Sequence, residues 1–169
     1  MRTATETAAA WQGHSLGENI DVLTTVTGGL TGKRVVSVAL GPFQGASATT
    51  DGEVFMWGSG FVKPMLVEGA LTGKRVLSVS GCDGFTLALT DAGEIWVWGR
   101  GSHGSLPALG LGSIDQTDSP TRVEGGFAGK RVVGISACFS HCAAVTAGGK
   151  YFRGAQGSMA ALDMVIRRT

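Results

Sequence analysis

The stretch GKRVLSVSG, Gly73–Gly81, has near-copies in GKRVVSVAL at Gly32–Leu40 and GKRVVGISA at Gly129–Ala137. Aligned on Gly-Lys-Arg, the likeness extends over 29 residues without a gap, from Leu30 to Gly58, Leu71 to Gly99 and Phe127 to Ala155. The copies start 41 and 56 residues apart, so the variable length lies in the connections. Self-similarity at this spacing is the mark of a chain built from one repeated supersecondary unit.

Inside each copy the period is two. Val36, Val38 and Leu40 share one face of an extended segment, as do Leu77, Val79 and Gly81, then Val133, Ile135 and Ala137. The other face carries Val35, Ser37, Ala39 and their mostly smaller counterparts. Alternation over a short β-branched run predicts a strand. A second strand is expected at Ser47–Thr50, Ala88–Thr90 and Ala144–Thr146, then a tight turn at Thr50-Asp51-Gly52, Asp91-Ala92-Gly93 and Ala147-Gly148-Gly149. Asp supplies local hydrogen bonds there and Gly the positive φ. EVFMWG, EIWVWG and KYFRGA leave the turn as a third strand, and PMLVEG (Pro64–Gly69) and PTRVEG (Pro120–Gly125) read as a fourth.

Four short antiparallel strands, repeated, are the pattern of propeller blades. The predicted fold is all-β, a partial, open β-propeller of about three four-stranded blades. The expected organisation is a flexible lead-in at 1–10, propeller repeats over 11–155 and a tail at 156–169. Within the repeats, 11–29 ends a preceding unit, 30–70 and 71–126 are blades, and 127–155 is a partial blade. The composition agrees: 28 Gly against 4 Pro suits strands and turns, whereas each Gly inside a helix costs roughly 1 kcal/mol relative to Ala. With 43% hydrophobic and 16% charged residues, the chain can bury a core rather than remain disordered.

The run GKRVLSVSGCDGFTLALTDAGEIWVWGRGSHGSLPALGLG resembles the regulator-of-chromosome-condensation repeat, whose units place strand, turn, Trp-Gly and distal Gly at these spacings. The resemblance covers about Trp11 to Ala155, with Trp11 and Gly17 spaced as Trp98 and Gly104 are. Departures are plain. The pattern's His survives only as His141, with Gln44 and Phe85 at the equivalent places, and the third copy has Gly154 where Trp is expected. The resemblance implies a member of a seven-bladed ring, of which three copies form only an arc. It implies binding work, and in the best-known relative nucleotide exchange on a small GTPase together with chromatin docking.

Other chemistry finds little support. Cys138, His141 and Cys142 lack the spacing of a zinc pair, and neighbours on a strand point to opposite faces, so Cys142 and His141 do not form a dyad; packing is the expected role. Gly99-Arg100-Gly101 opens no helix that could hold a phosphate. No cofactor, metal or catalytic residue is therefore predicted. Trp57 and Trp98, at equivalent places, are read as packing between blades, with Phe55 and Trp96 on the other face. A net charge of +1 argues against nucleic acid as the main partner.

Two sets of residues are candidates for contact with a protein partner, either a second copy or another subunit completing the arc. Lys33, Lys74 and Lys130 recur with Arg34, Arg75 and Arg131 along one rim, a basic crown suited to acidic groups. Arg100, His103, Asp115, Gln116 and Asp118 sit in the long link Arg100–Pro120, and such loops carry binding residues on rigid scaffolds. Three cysteines without a dense framework suit a reducing, intracellular compartment. MRTATETAAA lacks the apolar stretch of a signal peptide, and no run reaches membrane-spanning length.

Overall fold

In the computed structural model the described residues are 9–10, 24–41, 44–58, 61–81, 84–100, 116–138 and 141–154. They contain strands only, apart from one 3-10 turn at Gly125–Phe127. A two-residue ladder comes first, β1 (Ala9–Ala10) with β2 (Thr24–Thr25). One four-stranded antiparallel sheet follows, in the order β3 (Val35–Leu40), β4 (Gln44–Thr49), β5 (Val54–Gly58), β6 (Phe61–Leu66). The next repeats that order with β7 (Val76–Gly81), β8 (Phe85–Thr90), β9 (Ile95–Arg100) and β10 (Gln116–Arg122). The last comprises β11 (Val132–Cys138), β12 (His141–Thr146) and β13 (Tyr151–Gly154). The all-β reading and its blades are as expected, and among the described residues the sheets do not close into a ring.

The fourth strands begin and end earlier than PMLVEG and PTRVEG suggest. They run to Leu66 and Arg122, and Val67 and Val123 then donate one further bond each, to Val54 O at 2.8 Å and Ile95 O at 2.9 Å. Gly69 ends the first of these segments at φ 83°, which directs the chain into the next blade. Ala9 and Ala10, at the end of the expected lead-in, pair with Thr25 and Thr24.

Blades stack through their first strands. β7 lies against β3 and β4, and β11 lies against β7 and β8. Between the first two blades, Ala46, Ala48 and Val54 meet Leu71, Val76, Val79, Trp96 and Trp98. Between the next two, Leu87, Ile95, Val97 and Val123 meet Phe127, Val132, Cys142 and Ala144. A register shift after the first residue of each first strand breaks the expected alternation, so Val76 and Val79, and Val132 and Ile135, turn to the preceding blade while Leu77 and Val133 are exposed. Hydroxyls tie the layers together. Ser37 Oγ accepts from Val79 N at 3.0 Å, and Ser80 Oγ from Ala137 N at 2.8 Å.

The Gly-Lys-Arg repetition has its cause at this joint. Val76 N donates to Gly52 O at 3.1 Å, and Val132 N to Gly93 O at 3.2 Å. The arginine before each valine lies on the turn glycine of the previous blade. A Cβ on Gly52 would fall 2.7 Å from Arg75 Cα, and one on Gly93 2.6 Å from Arg131 Cγ. Gly149 has the same left-handed backbone, φ 75°, but open space around it.

Alanine at these glycines separates backbone strain from packing. Gly149→Ala should cost only the left-handed strain of about 1–2 kcal/mol. Gly52→Ala and Gly93→Ala should cost clearly more, because the next blade's arginine must move. Urea midpoints of the three variants measure the difference; equal losses would show that the joint carries none of it.

Candidate interaction surface

The aromatic residues belong to the joints. Trp57 and Trp98 are buried, Trp98 Nε1 donates to Met56 Sδ of the preceding blade, and the Trp57 indole fills the space a side chain would take at Gly45. The expectation that Phe55 and Trp96 face the other way is corrected. Phe55 clusters with Trp57, and Trp96 with Trp98, because residues two apart on a strand share a face. Gln44 and Phe85, at the place of the repeat's His, are both buried, and Gln44 Nε2 donates to Thr86 Oγ1 across the blades at 3.4 Å. Cys142 is buried in the core, as expected for packing, whereas Cys138 is exposed. Alternation along β11 turns its last residue away from the neighbouring blade.

The lysines recur at equivalent places, but two of them face carboxylates. Lys33 Nζ lies 2.6 Å from Glu53 and 3.3 Å from Asp51. Lys74 Nζ lies 2.9 Å from Glu94 and 5.0 Å above the Trp96 ring. Glu94 also accepts from Trp96 Nε1 at 3.2 Å and stands 3.4 Å from Arg122. Lys130 instead donates to Gly126 O at 2.5 Å, and Lys150 occupies the place of Glu53 and Glu94. Over the first two blades the crown is thus a row of ion pairs.

The long link contributes less that can be described. His103 and Asp115 lie outside the described residues. Arg100 ends β9 opposite Gln116, the first residue of β10. Asp118 is exposed within an irregularity between Thr117 and Thr121, whose hydroxyls meet at 2.9 Å. Arg100, Gln116 and Asp118 stand at the end of the sheet opposite to Lys74, so these described candidates are not brought together.

The alternating face of β3 was read from the sequence, but none of its residues was among the candidate contacts. Val38 is 50% exposed and Leu40 40%, while Val79, which holds Val38's place in the next blade, is 6% exposed. Ile135, at the same place in the third blade, packs against the core. The alternation was legible; which of its residues stand exposed was not. The glutamates were equally legible, since Glu53 and Glu94 follow their lysines by 20 residues in two copies.

Residues 92–145 match the family model of the regulator of chromosome condensation (RCC1) repeat. The resemblance read in the sequence is borne out. The chain is also similar in fold to solved structures. Human WBSCR16 is similar at a TM-score of 0.73 and 21% identity, over 89% of this chain and 43% of that one. Prp20p from Saccharomyces cerevisiae gives 0.61 and 19%, over 73% and 32%. Yeast RCC1 (Prp20) bound to Kap60 gives 0.62 and 16%, over 97% and 45%. At these identities the likeness is one of fold, and the chain spans less than half the length of each. No curated protein matches the chain in sequence. No helix among the described residues is long and apolar enough to cross a membrane.

The Glu94 cluster makes a pH prediction. The Lys74 ammonium first, then Trp96 Nε1–H and the Arg122 guanidinium, hold the Glu94 carboxyl below its ordinary value of 4.5, against the opposing effect of burial. The folded state therefore binds this proton more weakly than the unfolded chain. Its stabilisation is complete above about pH 4.5 and is lost as pH falls through the lower folded value. Glu94→Gln should flatten that part of a stability–pH curve, read as urea midpoints; an unchanged slope would exclude the cluster as its source.

Proposed function

We propose that this chain is a noncatalytic protein-interaction module, an accessory subunit of a larger assembly, and that its contact surface is the apolar face of β3. One observation carries the reading. Val38 is 50% exposed at the position where Val79 is buried against the preceding blade and Ile135 packs against the core, and Leu40, two places on, is 40% exposed. Burying one such side chain contributes about 1.5–3 kcal/mol, and exposed apolar patches of this kind mark association surfaces. Prp20p, one of the proteins of similar fold, is described with Gsp1p, histones and Kap60 as binding partners, which fits a scaffold that works by contact. The candidate residues Arg100, His103, Asp115, Gln116, Asp118, Lys33, Lys74 and Lys130 are secondary in this reading. They are polar surroundings that give a partner its register.

Light scattering on the full chain tests the proposal. The expected result is an associated species heavier than the 17.3 kDa monomer, reduced to monomer by Val38→Asp with Leu40→Asp. A chain that stays monomeric at every concentration, with or without the substitutions, overturns it. If the chain is instead an exchange factor, it will speed release of labelled GDP from a small GTPase, an activity that a pure contact module does not have.

A further inference from the structure

Each first strand carries a β-bulge at the same place. Val35 opposes Thr49 and Ser37 opposes Ala48, so Val36 is the extra residue. Leu77 is the extra residue between Val76 and Ser78, and Val133 between Val132 and Gly134. Val36, Leu77 and Val133 hold the same place in the three copies. A bulge re-aims its side chain out of the strand's alternation. All three are aliphatic and exposed, at 51%, 42% and 52%. Leu77 belongs to the middle blade, whose first strand lies against β3 and β4 on one side and β11 on the other. Its exposure is therefore set by the bulge and not by the lack of a neighbouring blade.

Neighbouring sheets approach one another most closely at their first strands. The three side chains thus follow one another along the side of the arc where the blades converge. Single exposed aliphatics need no explanation, but three at equivalent places on adjacent sheets form a strip. Arg34, Arg75 and Arg131, each exposed, stand two residues before Val36, Leu77 and Val133. The stems of Arg75 and Arg131 lie against Gly52 and Gly93 of the blade before, which limits their freedom. Among the described residues these two guanidinium groups have no ion-pair partner. The strip is apolar along its length and cationic along the border nearest the strand starts.

We infer that this strip is a docking site for an acidic amphipathic helix of a partner protein. It is a surface distinct from the face of β3 at Val38 and goes beyond that reading. Stacked sheets lie about 10 Å apart, and a helix brings the same face round after about seven residues, about 10.5 Å along its axis. Aliphatic residues at every seventh position of a helix therefore meet successive blades. An extended chain covers that distance in about three residues, and residues three apart point to opposite faces. Carboxylates on the flank of the helix answer the arginines. Duplex nucleic acid offers phosphates to the arginines but no apolar stripe to cover the aliphatics.

The probe is a synthetic peptide of about 18 residues with leucine at every seventh position and glutamate on the flanking face, titrated into the full chain. Saturable binding with a gain of helical circular dichroism is expected. Leu77→Asp or Val133→Asp should weaken binding about tenfold or more. Both side chains are exposed, so these variants should keep the chain's melting temperature. Arg75→Gln with Arg131→Gln should weaken binding and remove much of its salt dependence. The same peptide with lysine for glutamate should not bind. Val38→Asp with Leu40→Asp should leave the peptide bound, so the strip and the β3 face stand or fall separately. Absence of saturable binding overturns the proposal, as do binding without gained helix, binding that survives Leu77→Asp, and equal binding of the lysine peptide. Displacement of the peptide by a second copy of the chain, or by duplex DNA, makes that molecule the occupant and equally overturns it.

Discussion

The hydrogen bond from the first residue of one blade's opening strand to the turn glycine of the blade before it sets the geometry on which the remaining packing depends. Val76 N to Gly52 O, and Val132 N to Gly93 O, fix the height at which adjacent sheets meet. With that height set, the preceding arginine lies across the glycine, a serine hydroxyl meets the neighbouring backbone, and Val79 and Ile135 fall onto their apolar clusters. A Cβ at the turn would break the sequence at its first step. Three nearly identical stretches are therefore needed because the same joint is made again at each blade, and each blade has two faces that it cannot bury by itself.

The described blades differ in what they present. β3 offers Val38 at 50% exposure where Val79 of the next blade is 6% exposed. In the last sheet Lys150 stands where the first two blades have glutamate.

The ion pairs along the rim play a smaller part. Lys33 with Glu53 and Asp51, and Lys74 with Glu94, are partly solvated, and pairs of that kind contribute little each. The Glu53 carboxylate, opposed by burial and helped by Asp51, holds the Lys33 ammonium above its ordinary value of 10.5. That contribution is present below this value and is lost only as pH rises beyond it. Their main effect is to cancel charge that the sequence, read one residue at a time, presents as a basic crown.

Period-two runs, the Asp-Gly and Gly-Gly turns and the exact recurrence of Gly-Lys-Arg determined by themselves that this chain is all-β and bladed, because strand alternation and positive φ are local demands. They also placed Trp57 and Trp98 between blades, by equivalence alone. Only the tertiary structure decided which face of each first strand looks forward and which back, since alternation names two faces without saying what covers them. It likewise decided that Lys74 meets Glu94 across 20 residues of sequence, and that Phe55 shares a side with Trp57. Above all, it decided that Val38 is bare while Val79 is buried. The two valines are equivalent in sequence, and they differ because burial depends on the blade before.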